Sequence, residues 1–108
     1  MINLVAKTKN GKIYPVVMLT DKVTFQISKQ MFRTERIGEG ATIHLSTNMT
    51  DKNGRLILVG DKVRTPNPDY PIGKIWSDSN DFYMIIKKGY WTVRMLTPEI
   101  AATLEVVE

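Results

Sequence analysis

The sequence has 108 residues, a net charge of +4, a hydrophobic fraction of 43% and no cysteine. This composition is that of an ordinary globular chain, and the lack of cysteine excludes disulfide frameworks, thiolate metal sites and thiol catalysis. Residues 1–50 carry seven Lys and Arg against three acids, whereas residues 51–108 carry eight of each sign. We expect the basic first half to be a solvated surface, with an anionic partner such as nucleic acid as the alternative.

No segment has the composition of a membrane span or an export signal. No apolar run approaches the ~20 residues that span a bilayer. The first apolar residues meet Lys7 at once, without the layout of a signal peptide. We therefore expect a cytoplasmic protein without membrane contact, which also agrees with the absence of cysteine.

The N-terminal part is read as a series of short strands. Residues 2–7 and 12–18 flank an Asn10-Gly11 turn, an arrangement typical of a β-hairpin. Pro15 cannot donate a ladder hydrogen bond, so its strand should lie at a sheet edge or contain a bulge. Residues 22–27 alternate apolar and polar side chains and predict a third strand.

Residues 28–38 allow two interpretations. Ser28 as N-cap and Gly38 as the stop signal would frame a short helix. The apolar residues between them have only partly helical spacing, so a second β-hairpin is nearly as well supported.

The stretch of residues 51–64 organises the second half of the chain. Asn53-Gly54 favours a tight turn, because both residues tolerate a positive φ. A short apolar run at residues 56–59 follows, and Gly60-Asp61 interrupt it before residues 62–64 resume an extended pattern. A turn, a buried segment, a kink and a new strand are typical of the entry to a small, strongly bent β-barrel.

The remaining elements are short and separated by turn residues. Three prolines between residues 65 and 71 predict an irregular loop. Thr97-Pro98-Glu99 has the chemistry of a helix start and predicts one helical turn. Further strands are expected at residues 72–76, 82–87, 90–96 and 104–107.

These elements predict an all-β fold with one or two short helical turns. We expect an N-terminal β unit at residues 1–46 and a C-terminal SH3-like small barrel at residues 47–108. Gly60 and Gly73 would permit the sharp strand bends that such a barrel needs.

A resemblance to a known family rests on residues 50–55 with Gly60-Asp61-Lys62-Val63, on the preceding residues 43–47, and on residues 9–16. In these residues the sequence resembles the YopX-type family of phage and prophage proteins. The sequence differs from the family pattern in having Leu58-Val59 before Gly60 and in residues 97–108. The resemblance implies a β-rich, phage-associated protein in a bacterial host, and it supplies no activity or catalytic residues.

The residues needed for catalysis are scarce. The chain has one histidine, His44, and no nucleophile elbow. His44 alternates with Ile43 and Leu45, which we expect to face the core, so we interpret His44 as a surface or structural residue. We therefore expect a protein that is not an enzyme.

No metal or cofactor site is expected either. Counting an EF-hand loop from Asp51 places Leu56 and Lys62 where glycine and an acid are required. The acids at residues 78–81 are explained by a polar hairpin turn, and phosphate-loop patterns are missing.

Strand alternation predicts one candidate surface on the C-terminal barrel. The side chains expected to fill the barrel are Ile75, Phe82, Met84, Ile86, Trp91, Val93 and Met95. The side chains expected to point outward, and thus to form the candidate binding site, are Lys74, Trp76, Tyr83, Tyr90 and Arg94. Aromatic side chains beside Lys and Arg suit a protein or subunit interface and also the stacking of bases. The alternative is that Trp76 and Tyr83 only cover the barrel rim or pack on the N-terminal half.

The sequence thus predicts a non-enzymatic phage or prophage accessory protein that works by binding a protein partner or further copies of itself. The alternative is a small barrel that binds nucleic acid through Trp76, Tyr83, Tyr90 and Arg94, with the basic first half contacting phosphates.

Overall fold

The computed structural model describes residues 3–69, 71–78, 81–88 and 90–107, with the side chains at positions 3, 87, 88, 90 and 91 outside the description. Over these residues the chain forms two antiparallel sheets and one short helix, which confirms the predicted all-β class. The chain divides into two compact units, Asn3–Leu45 and Ser46–Glu108. None of the helices formed by the described residues has the length and apolar character needed to cross a membrane.

The first unit is a sheet of five strands, of which the first four form an antiparallel meander and the fifth returns beside the first. Its core contains the buried residues Ala6, Val23, Phe25 and Ala41, and the Tyr14 ring stacks on Phe25 with 5.4 Å between centroids. The strands are β1 (Asn3–Thr8), β2 (Ile13–Leu19), β3 (Lys22–Ser28), β4 (Met31–Arg36) and β5 (Ala41–Thr50), and their order in the sheet is β4-β3-β2-β1-β5.

The hairpin interpretation of residues 28–38 is correct, and the helix is wrong. Strands β3 and β4 pair from Lys22 opposite Arg36 up to the turn at Lys29-Gln30. This pairing satisfies the backbone groups of Val23 and Phe25, whose side chains are fully buried. The alternating buried side chains of β3 therefore favour a paired strand, and not a helix, in residues 28–38.

Pro15 lies in an internal strand. Strand β2 pairs with β1 on one side, with Pro15 opposite Val5, and with β3 on the other. The register with β3 shifts between Val16 and Met18. The predicted bulge is thus present, and the predicted sheet edge is not, because a bulge lets a strand pass a missing donor without ending the sheet.

Both Lys-Asn-Gly turns are three-residue hairpin loops. In each loop the glycine alone has a positive φ, 84° at Gly11 and 79° at Gly54. The glycine N–H donates to the carbonyl oxygen of the residue before the loop, at 2.9 Å to Thr8 and 3.0 Å to Asp51. This is a type I turn followed by a left-handed glycine, so the asparagines keep a negative φ.

The boundary between the two units falls within β5. The second unit contains residues 46–50 of β5, which pair with β6 (Leu56–Leu58), and a separate five-stranded sheet. The order in that sheet is β10-β9-β8-β7-β11. Its strands are β7 (Lys62–Arg64), β8 (Ile72–Asp78), β9 (Asp81–Lys88), β10 (Tyr90–Met95) and β11 (Glu105–Val107), with helix α1 (Pro98–Ala101) between the last two.

The predicted closed barrel is wrong for the described residues. Strands β10 and β11 end the sheet and do not pair with each other. The segment between them, with Leu96, Ala101 and Leu104 buried, covers one face of the sheet together with Ile57 of β6. The core is thus filled by residues of this segment and of β6, and the end strands need not meet to cover it.

The predicted kink at Gly60-Asp61 is present. Gly60 has a φ of 98°, and its N–H donates to the carbonyl oxygen of Ile75 at 2.8 Å. The Asp61 carboxylate accepts from the N–H of Leu58 at 2.8 Å. Gly73 serves packing, because a Cβ there would lie 2.7 Å from Cγ of Met84.

Candidate binding surface

The strand register of the five-stranded sheet separates its side chains into two faces. Directly opposite residues share a face in an antiparallel pair, and the buried face carries Val63, Ile75, Met84 and Ile86. We call the other side the outer face. It carries Lys62, Arg64, Ile72, Lys74, Trp76, Asp78, Asp81, Tyr83, Ile85, Val93, Met95, Glu105 and Val107.

The middle of the outer face is an apolar strip made of two rows. A row is a set of residues that lie opposite one another on neighbouring strands. Trp76 lies opposite Tyr83, and Tyr83 lies opposite Met95. The next row places Ile85 between Lys74 and Val93. Trp76 of β8 is 53% exposed, and Val93 and Met95 of β10 are 59% and 52% exposed. Tyr83 and Ile85 of β9, the strand between them, are partly exposed.

The two ends of the outer face carry opposite charge. At the end beyond Trp76, Asp78 lies opposite Asp81. The basic end lies on the β7 side of the row that contains Ile85 and Val93, where Lys62 lies opposite Lys74. Like charges directly opposite each other in a sheet are unfavourable, so each end would be stabilised by an opposite charge from outside.

A salt-bridged group borders the basic end. Arg64 Nη1 lies 3.0 Å from Glu105 Oε1, and Lys52 Nζ lies 3.7 Å from Glu105 Oε2. These side chains are partly solvent-exposed, so the ion pairs contribute little to stability. They neutralise part of the positive charge of this end.

The structure brings together three of the five predicted site residues. Lys74, Trp76 and Tyr83 lie side by side on the outer face. Arg94 does not join them, because it lies opposite Met84, whose side chain is buried on the other face. The side chain of Tyr90 lies outside the described residues.

The inward placement predicted for strand β10 is wrong for Val93 and Met95. Both face solvent, and Thr92 and Arg94 share the face of Ile86 and Met84 instead. A shift of one residue moves every side chain of a strand to the opposite face. The side chain of Trp91, also predicted to be inside, lies outside the described residues, whereas Ile75, Met84 and Ile86 are buried as expected and Phe82 packs on them.

Arg94 lines a cavity of about 330 Å³ that the sequence did not reveal. The surface of this cavity is mostly apolar, and Arg94 and Glu99 are its charged lining residues. Its lining residues are Thr65, Pro66, Asn67, Met84, Ile86, Arg94, Glu99, Ile100, Thr103 and Leu104. They come from a loop, two strands and the helical segment, so no local motif in the sequence could have signalled the cavity.

His44 is half-buried, and its Nε2 lies 2.7 Å from the Thr42 hydroxyl oxygen. Ile43 packs on the core of the first unit, as the alternation predicted. Across the described part of the chain, no three residues among His, Cys, Asp and Glu come together as metal ligands could.

Asp51 is a charged residue of the second unit that is buried and accepts several backbone hydrogen bonds. It is 4% exposed. One carboxylate oxygen accepts from the N–H groups of Asn53 and Arg55, and the other from the N–H of Val106, each at 2.9 Å. Burial raises the pKa of this carboxyl, but these three donors and the Arg55 charge outweigh burial, so the pKa lies below its ordinary value of 3.8.

No protein-family model matches the chain, and no curated protein matches it. The resemblance to YopX-type proteins stays a prediction.

Proposed function

We propose that this chain is a non-enzymatic accessory protein of a phage or prophage, acting in the bacterial cytoplasm by binding another protein through the outer face. The observation that carries the binding role is the apolar strip around Trp76, Val93 and Met95. The resemblance of residues 50–63 to YopX-type proteins supports the phage association.

The composition of the outer face favours a protein as the partner. The centres of protein interfaces are enriched in Trp, Tyr and Met and depleted in charge, and Trp76, Tyr83 and Met95 form one continuous row. Such aromatic residues often carry most of the binding energy of an interface.

The charges at the two ends define the chemistry of the partner. A complementary protein surface has an apolar strip, a basic group opposite Asp78 and Asp81, and an acidic group opposite Lys62 and Lys74. Each contact would relieve a like-charge pair on the sheet. The two ends also fix the orientation in which the partner can bind.

Site-specific photo-crosslinking in bacterial cells tests this proposal. A photoreactive phenylalanine analogue replaces Trp76 in one variant and Phe32 in the control, because both side chains are 53% exposed. We expect a protein adduct, identified by mass spectrometry, at position 76 and not at position 32. Equal adducts at both positions, or none at position 76, would contradict the proposal.

A second candidate is binding of single-stranded nucleic acid. Trp76 lies opposite Tyr83, and Lys74 and Lys62 lie in the neighbouring row, which suits base stacking beside a phosphate contact. This candidate predicts that a fluorescent oligonucleotide binds more weakly as salt rises. Trp76→Ala should then abolish binding and Trp76→Phe should retain most of it. No anisotropy change at low salt would exclude this candidate.

A further inference from the structure

The strands that end the two sheets differ in how well their edges are protected. Natural edge strands are kept from pairing by shortness, charge, proline or bulges. Strands β6 and β11 have three residues each. Strand β4 has a register shift at its start and three charged residues among its six.

Strand β10 has none of these protections. It has six residues, no proline or glycine, and one charge at Arg94. Its six residues pair with β9 in an unbroken register. Among the described strands it is therefore the end strand open to pairing with another strand.

The hydrogen bonds show which backbone groups of β10 are available. The N–H of Leu96 donates to the carbonyl oxygen of Phe82 at 2.8 Å, so the pair of residues 96 and 82 is hydrogen-bonded. In an antiparallel ladder such pairs alternate. Residues 92 and 94 therefore bond to β9, and the N–H and C=O groups of positions 91, 93 and 95 point away from the sheet.

We propose that a second copy of this chain pairs with this edge, antiparallel, about a two-fold axis at Val93. Position 93 then lies opposite itself, and position 91 lies opposite position 95, so all three outward-pointing positions gain partners. Arg94 lies opposite Thr92 of the second copy. A two-fold axis at Arg94 would instead place two like charges together.

This pairing deepens the proposed function and rests on it, because it extends the same contact surface. Val93 and Met95 of both copies would lie on one continuous face, so the apolar strip would run across the junction. The dimer would thus present about twice the apolar surface of a single outer face.

Sedimentation equilibrium of the whole chain tests the pairing. We expect a dimer, and we expect Val93→Pro to raise its dissociation constant by about 100-fold or more, because proline removes the outward N–H and obstructs the junction. The bonds to β9 use other residues, so far-UV circular dichroism should not change. Val93→Thr, which keeps the N–H and the β-branch, is the matched control and should remain dimeric.

The register has its own test, which does not depend on proline. Thr92→Glu would place a carboxylate opposite Arg94 of the second copy, twice by symmetry, and should tighten the dimer about threefold to tenfold. Thr92→Lys disturbs the same position with the opposite charge and should weaken the dimer similarly. Equal effects of the two substitutions would overturn the register.

The remaining outcomes separate this proposal from the proposed function. A wild-type monomer at all concentrations overturns the pairing, and so does a ring or filament, which needs β10 to contact a different strand. A protein adduct at position 76 in that case shows that the outer face still binds another protein. A dimer that Val93→Pro leaves intact overturns the β10 junction alone.

Discussion

The turns at residues 8–12 and 51–55 have the same backbone and nearly the same sequence, yet they are held in different ways. In the first, the Thr8 hydroxyl contacts Asn10 and the carbonyl of Lys12, within the loop itself. In the second, the Asp51 carboxylate also accepts from Val106, in a strand far along the chain.

This difference shows that the Asn-Gly sequence determines the backbone of the turn. It does not determine how the turn is bonded to the rest of the fold. The glycines have almost equal φ values in the two loops. The residue before each loop decides how the turn is held, because Thr8 is partly exposed whereas Asp51 is buried. A buried carboxylate can join three backbone donors, and a hydroxyl cannot.

Asp51→Ala should have the largest effect. It leaves three N–H groups without their acceptor, and we expect the unit of residues 46–108 to lose about 3 kcal/mol or more of its unfolding free energy. Urea unfolding followed by tryptophan fluorescence measures this loss, because both tryptophans lie in that unit. Asp51→Asn keeps one acceptor oxygen, so its unfolding free energy should lie between those of wild type and Asp51→Ala. A loss below about 1 kcal/mol for Asp51→Ala would contradict this role.

The pH dependence of Asp51 should be the next largest effect. Its pKa in the folded chain is below 3.8, so the stability it provides is complete above pH 3.8 and decreases as the pH falls through the lower, folded-state value. The stability difference between wild type and Asp51→Asn should therefore be constant from pH 7 to 5 and shrink below pH 3.8. A difference that shrinks already near neutral pH would assign the effect to another group.

Gly11→Ala and Gly54→Ala should have smaller and equal effects. A Cβ at either position meets no atom within 4 Å, so the substitution adds backbone strain alone. We expect each to reduce stability by about 1 kcal/mol, measured by urea unfolding with circular dichroism. Asparagine at the same positions tolerates the left-handed region and should cost less. Clearly unequal alanine effects would mean that the two loops are not the same structure.

Thr8→Ala should have the smallest effect, about 0.5 kcal/mol or less, because its contacts are local and exposed. The same unfolding measurement applies. A loss as large as that of Asp51→Ala would show that the two loops are held with equal strength, against the structure.

Most strands could be predicted from the sequence because their signals are local. Asn10-Gly11, Asn53-Gly54 and the alternation of Val23, Phe25 and Ile27 each require one backbone geometry. The helix start at Thr97 is equally local, and its hydroxyl accepts from the N–H of Ile100 as an N-cap should.

The face of strand β10 could not be predicted, because both of its faces contain large side chains. Placing Val93 and Met95 inside maximised burial within that strand. The inner face is already covered by Leu96, Ala101 and Leu104, whose position depends on the path of the chain after β10. The same covering segment keeps the barrel open and places Arg94 at the cavity, and neither result follows from a local pattern.

The bond from the Asp51 carboxylate to the Val106 N–H joins positions 55 residues apart. A nascent chain leaving the ribosome exposes that acid to water until position 106 has cleared the tunnel. Contacts of such long separation form slowly, whereas each hairpin of residues 3–36 joins sequence neighbours. The first unit can therefore assemble during synthesis while the second waits for β11.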